Sequence, residues 1–218
     1  MFERVTKRVE ENVPLHAATI FRNAITALDG IHERGYIHRD LKLDNILLVD
    51  EKDDSAVKII DFGHMCQLPN GRLSSVQSST MCGTAGYFAP ESTYGSKLYS
   101  TKSDIWQMVG QILRMTFYFS HMQYNIILPC FCHQGCILYC MLCGHPAFHA
   151  INSISAIRAG AYCTTTDTYL ALSNDAKDLL HKLFNVNPTQ RLSIAEILEH
   201  PWMHAAPVMN QAGYPQRV

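Results

Sequence analysis

Apolar residues recur at Ile20, Ala24, Leu28 and Ile31, the 3.6-residue spacing of one helix face. The pattern predicts a helix from Pro14 to about Arg34, with Pro14 suited to its first turn and Gly35 to its end. Two short apolar runs follow, Ile46–Val49 and Val57–Ile60, separated by the polar stretch Asp50–Ala56. They predict a β-hairpin. Helical spacing returns at Ala176, Leu179, Leu180 and Leu183, with Ser173 as the expected N-cap. In the last predicted helix Ser193 and Glu196 form a capping box, Leu192 and Ile197 have staple spacing, and Pro201 is the expected stop. The fold class expected is mainly α with a short β-hairpin.

Composition narrows the partners more than the fold. Of 218 residues, 47% are apolar and 17% charged, and the formal net charge is −1. This balance predicts a globular chain without a nucleic-acid surface. Residues 1–12 are charged and lack the apolar run of a signal peptide. Eight cysteines in such a chain suggest free thiols in a reducing compartment, so the expected location is cytoplasmic, with the nucleus also open.

The chemistry concentrates in His38-Arg39-Asp40-Leu41-Lys42-Leu43-Asp44-Asn45 and, sixteen residues after Asn45, Asp61-Phe62-Gly63. Asp40 is a carboxylate placed to accept a proton from an attacking hydroxyl. Lys42 is a compact cation two residues away, suited to offset the charge of a transferring phosphoryl group. Asn45 and Asp61 supply hard oxygens of the kind Mg²⁺ takes alongside phosphates. The hairpin between them should bring the two together. Taken singly, each acid reads as an ordinary loop carboxylate; the ordered set does not.

These motifs, followed by Gly83-Thr84 and Ala89-Pro90-Glu91, resemble the eukaryotic protein kinases. Lys42 and Thr84 stand where serine/threonine kinases have them. Gly144-His145-Pro146-Ala147-Phe148, Asn187-Pro188-Thr189-Gln190-Arg191 and His200-Pro201-Trp202 are similar to the calcium/calmodulin-dependent kinase group. The resemblance implies ATP and Mg²⁺ as cofactors and Ser or Thr of a protein as acceptor. It implies Asp40, Lys42, Asn45 and Thr84 as catalytic residues, Lys42, Asn45, Leu47 and Asp61 at the nucleotide, and Asn45 and Asp61 on the metal. His38, Arg39, Phe62, Gly63, Glu91, Asp104 and Arg191 take structural or regulatory places. Glu91 and Arg191 resemble the family's buried pair, and Asp104 the residue that holds the catalytic-loop backbone from below. Ile137 and Met141 resemble apolar supports of the adenine side, and Asp44 an acid that contacts basic substrate residues.

Residues 65–88, rich in Ser74, Ser75, Ser78, Ser79 and Thr80, resemble the activation segment. Arg39 resembles the arginine that pairs with a phosphorylated residue there, which implies an upstream activating kinase as partner. A solvated serine-rich loop is the plainer reading.

The resemblance covers the kinase large lobe, residues 1–202, with 203–218 as a short tail. Met1–Val5 resembles the helix after the inter-lobe hinge, and no Gly-x-Gly-x-x-Gly or strand lysine precedes the catalytic loop. We therefore expect a C-lobe without its N-lobe, a poor enzyme alone. A non-catalytic kinase-like binding module is the alternative. Within the short tail after His200-Pro201-Trp202 no calmodulin-binding segment is expected.

Val109–Gln134 interrupts the family's helix between Trp106-Gln107-Met108 and Gly135-Cys136-Ile137-Leu138. It opens on a valine, whose codon begins GT, and closes on Pro-Cys-Phe-Cys-His-Gln, compatible with a pyrimidine tract and a terminal CAG. We read it as an intron translated in frame; the alternative is a true insertion in which 109–119 continue the helix. No Lys, Arg, Asp or Glu lies between Met115 and Ile157, but polar residues leave no clean span of about 20 apolar residues, so no membrane partner is expected. Cys130, Cys132, His133 and Cys136 have zinc-like spacing, yet Cys136, Cys140 and Cys143 at i, i+4, i+7 read as one buried helix face.

Overall fold

The computed structural model describes residues 17–49, 56–84, 87–108, 137–143, 147–148 and 153–204. Helix α1, Ala17–Glu33, lies within the predicted range, and Ile20, Phe21, Ala24, Ile25 and Leu28 are buried on its inner face. Ile31 is only partly buried. Gly35 ends the helix at φ +75°, its N–H donating to His32 O at 3.0 Å, a left-handed turn that side-chain-bearing residues rarely adopt. The expected start at Pro14 lies outside the described residues.

Three two-stranded antiparallel sheets follow. Strand β1 (Tyr36–Ile37) pairs with β4 (Cys66–Gln67), β2 (Ile46–Leu48) with β3 (Val57–Ile59), and β5 (Ser75–Gln77) with β6 (Leu98–Ser100). In the predicted hairpin Ile46 faces Ile59, and Val49 N–H donates to Ala56 O at 2.9 Å, extending the ladder past the last strand residue. The β3 side packs on α1. The β5–β6 pairing has no counterpart in the predicted elements; it ties the serine-rich stretch, at β5, to residues just before α2.

The helices are α2 (Thr101–Met108), α3 (Ile137–Cys143), α4 (Ser153–Ala159), α5 (Asp167–Leu170), α6 (Asn174–Leu183), α7 (Ile194–Leu198) and α8 (Pro201–His204). Ser173 caps α6 by accepting from Ala176 N–H, and the Ser193–Glu196 capping box is present in both directions at α7. Pro201 does not act as the stop. Helix α7 ends at Leu198 with Glu199 as its cap, and Pro201 opens α8, where its missing N–H costs no helical hydrogen bond.

One core joins these elements, since α1 packs against α3, α7 and α8. Its aromatic centre includes Trp106 stacked on Phe148 (6.0 Å between rings) and Phe184 set edge-on to both. Cys143 is buried there, and burial pushes its thiol up to about 12. Val109–Gln134, Gly135, Cys136 and the side chains of Ile137, Cys140 and Met141 lie outside the described residues, as does the zinc-like set. No described helix is long and apolar enough to cross a membrane.

Candidate active site

The catalytic loop runs from β1 to β2 and is fastened from beneath by α2. Asp104, fully buried, accepts from His38 N–H (2.8 Å), Arg39 N–H (2.9 Å) and His32 Nε2 (2.9 Å). Three donors on one carboxylate offset the burial of its charge. Arg39 sits at φ 67°, an uncommon conformation for a non-glycine residue, which such bonds help to hold. On the next turn of α2, Gln107 bonds both Leu41 N–H and Arg39 O at 3.0 Å. Sequence reasoning missed this residue.

Above the loop, Asp40 is anchored by both carboxylate oxygens. Oδ1 accepts from the Thr84 hydroxyl (2.7 Å) and Thr84 N–H (2.8 Å); Oδ2 accepts from Lys42 Nζ (3.0 Å). Lys42 Nζ also donates to Thr84 Oγ1 at 3.2 Å, closing a triangle. Burial works against ionisation of Asp40, but the Thr84 hydroxyl, the Lys42 ammonium and the Thr84 N–H outweigh it and hold the carboxyl below its ordinary value. Gly83 permits this approach. Its φ is +101°, and a Cβ there would stand 2.3 Å from Arg39 O.

The hairpin carries the candidate metal ligands as expected from its topology. Ile60 N–H donates to Asn45 O at 2.9 Å, and His38 Nε2 bonds Ile60 O at 3.0 Å, so the residue before Asp61 lies beside both Asn45 and His38. Asn45 is buried and its Nδ2 donates to Asp40 O at 2.9 Å, which leaves Oδ1 as its ligand-capable atom. Asp61 is exposed at φ 63°, one carboxylate oxygen accepting from Gly63 N–H at 3.3 Å. One amide oxygen and one carboxylate, with open solvent, fit Mg²⁺, which keeps several waters and shares its shell with phosphates. Among the described residues no group of three or more His, Cys, Asp or Glu could hold a metal ion by itself.

The remaining expected residues fall around this centre. Phe62 lies 5.5 Å from the His38 ring and is 47% exposed; Leu47 is 40% exposed on β2. Arg39 Nε donates to His64 O at 2.6 Å, and its guanidinium lies 5.7 Å from the Tyr99 ring centre. Asp44 is exposed. Glu91 and Arg191 form a bidentate pair (2.9 and 3.0 Å) joined by the Ser103 hydroxyl, with the guanidinium 4.9 Å above Trp106.

An ionised carboxylate thus stands beside a lysine on a helix-anchored loop, with Asn45, a candidate cation ligand, bonded to the backbone of the same residue. The family model for the protein kinase domain matches residues 2–126 and 133–203. The chain belongs to the protein kinase domain family. The break in the match, 127–132, falls inside the segment read as an insertion.

Three relatives are kinases by name. The chain is 32% identical to calcium-dependent protein kinase 21 of Oryza sativa subsp. japonica, over 94% of this chain and 31% of that protein. It is 32% identical to maternal embryonic leucine zipper kinase of Xenopus tropicalis, over 91% of this chain and 26% of that protein. A probable serine/threonine-protein kinase, fhkE of Dictyostelium discoideum, is also 32% identical, over 86% and 23%. The chain thus spans less than a third of the length of these relatives.

Proposed function

We propose that this chain is the large lobe of a serine/threonine protein kinase, transferring the γ-phosphoryl group of Mg·ATP to a protein hydroxyl. The observation that carries the reading is the Asp40 carboxylate fixed by Thr84 and Lys42. Held below its ordinary value, Asp40 is ionised at neutral pH and can accept the proton of an incoming Ser or Thr hydroxyl. Lys42, 3.0 Å from Asp40, places positive charge where the transferring group gathers negative charge. When bound, Mg·ATP supplies the phosphoryl group and the cation that neutralises its oxygens. Asn45 Oδ1 and Asp61 would hold that cation, and the apolar Leu47 side chain would line the nucleotide site. Asp44, exposed beside them, would favour basic residues in the substrate. The expected location is the cytoplasm, with the nucleus also open.

The large-lobe reading draws support from uncovered apolar side chains. Leu47, Val49, Phe62 and Met65 are each at least 39% exposed, on β2 and the residues that follow β3. Exposed apolar side chains so near the candidate metal ligands in sequence fit a surface that another unit covers. Alone, the lobe would bind Mg²⁺ and present its base without enclosing the phosphates. The same exposure favours a second reading, a non-catalytic module that acts by binding. Residues 109–134 are proposed as a translated intron within this lobe.

Asp40→Ala in an active preparation of the full-length protein separates the two readings. Phosphotransfer to a basic peptide should fall by about two orders of magnitude or more, with the KM for ATP little changed. Near-normal turnover would refute Asp40 as the base. A Mg·ATP-dependent rise in Tm with no phosphotransfer from the wild-type protein would favour the binding module.

A further inference from the structure

Gln107 occupies the next-to-last position of α2 and is 1% exposed. A fully buried glutamine carries two donors and an acceptor that must be satisfied, and burial without partners is costly. Here the amide is directed at the catalytic loop: Oε1 accepts from Leu41 N–H and one Nε2–H donates to Arg39 O, both at 3.0 Å. Asp104, three residues earlier on the same helix face, takes His38 N–H and Arg39 N–H. Two side chains of one helix therefore bind four backbone groups on both sides of Asp40.

The two contacts differ in what they secure. Asp104 holds the loop ahead of Asp40. Gln107 reaches Leu41, the residue after it, so it bridges the peptide units that flank the base. It also fixes Arg39 O, the atom that faces Gly83 on its other side at a distance no Cβ would tolerate. Gly83 leads directly into Thr84, whose hydroxyl and N–H orient the Asp40 carboxylate. Displacing Arg39 O therefore disturbs Asp40 through both its backbone and its side-chain anchor.

We infer that Gln107 is a positioning residue for phosphotransfer: its amide clamps Arg39 O and Leu41 N–H, locking the backbone on either side of Asp40 so that the carboxylate stays aimed at the acceptor hydroxyl. The inference rests on Asp40 being the base. It concerns orientation, not charge, since Gln107 touches no reacting atom.

Gln107→Met keeps side-chain length and volume while removing both bonds. In the full chain, amide hydrogen exchange at Leu41 should quicken about tenfold or more, while the amide of Leu28 in the α1 core keeps its rate. In phosphotransfer by the full-length protein, kcat should fall about ten- to a hundredfold with the KM for ATP unchanged. Gln107→Asn, one methylene too short to span both groups, gives the same two readouts should Gln107→Met fail to fold. Leu41 exchange unaltered in whichever variant folds would overturn the clamp. Faster Leu41 exchange at unchanged kcat would make Gln107 merely structural and overturn the positioning role. Asp40→Asn tells these failures from a failure of the base assignment: full activity in that variant would remove the base and leave the exchange result standing.

Discussion

Gly83→Ala is a one-methyl change whose effect can be worked out atom by atom. The native φ of +101° is strained for alanine, at roughly 1–3 kcal/mol. The added Cβ would lie 2.3 Å from Arg39 O, about 1 Å inside ordinary van der Waals contact. Arg39 O cannot withdraw freely, because Gln107 Nε2 bonds it at 3.0 Å from below. Residues 82–84 must move instead, and the Thr84 bonds to Asp40 at 2.7 and 2.8 Å stretch or break. A hydrogen bond to a charged group contributes about 1.5–3 kcal/mol, so strain plus the loss of one such bond should cost roughly 2.5–6 kcal/mol. For a chain of this size that lowers Tm by about 5–24 °C. The assay is thermal and urea unfolding of the full chain, paired with carboxyl ¹³C NMR of Asp40. Asp40 should titrate at higher pH in the variant, since the hydroxyl and N–H that depress it have moved. A Tm within 1 °C of wild type and an unshifted Asp40 titration would refute the close approach on which the site geometry depends.

Thr84→Val removes the hydroxyl but keeps the N–H donor, so it isolates one bond. Asp40 is depressed in the folded state, so its contribution to stability is full above the unfolded value of 3.8 and is lost as pH falls through the folded value. The stability gap between wild type and Thr84→Val should therefore be larger at pH 7 than at pH 3 by denaturant titration; an equal gap at both would show that the hydroxyl does not act on the ionised form. Arg191→Ala strands Glu91, whose side chain is only 11% exposed, and should cost about 3–5 kcal/mol. A double-mutant cycle with Glu91→Gln would reveal coupling, and a coupling energy near zero would dismiss the pair as a structural tie. For residues 109–134, sequencing the transcript decides: a spliced message should join the codons for Met108 and Gly135, and one that still encodes Val109–Gln134 rules out the intron.

The parts legible in the sequence are those that side-chain pattern encodes. Helix α1 followed from Ile20, Ala24 and Leu28, and the β2–β3 hairpin from two apolar runs with a polar break. Asp40, Lys42 and Thr84 were each marked by family motifs, although Thr84 lies 44 and 42 residues along the chain from the other two. What stayed hidden depends on backbone groups, which every residue carries and no pattern reports. The β5–β6 pairing joins Ser75-Val76-Gln77 to a tract without strand-like alternation. Gln107 sits on a helix, where glutamine usually faces solvent, and nothing in its neighbours shows that a loop carbonyl and amide lie opposite. A signal was available in part: Asp104 was expected to hold the loop, and a residue three positions on shares its face.

The same distinction bears on how Asp40 is held. Among the described residues, the groups that orient Asp40 (Thr84, Lys42, Asn45, Asp104, Gln107 and the His38 ring) all lie on elements folded around α1 and α2. None needs a ligand to reach hydrogen-bonding distance. The apolar side chains toward the nucleotide behave otherwise: Phe62 touches His38 on one side and is 47% exposed, and Val49 is 54% exposed beyond the end of β2. On the proposed reading, orientation of Asp40 would therefore cost little further on binding, whereas closure over the phosphates would call on surface beyond that of the described elements. Under the large-lobe reading, a supplied small lobe should thus act mainly on ATP affinity and phosphate alignment. The Thr84- and Lys42-dependent titration of Asp40 should be the same with and without it, a comparison that carboxyl ¹³C NMR makes directly; a large shift of Asp40 on adding the lobe would mean that the base is assembled only by closure.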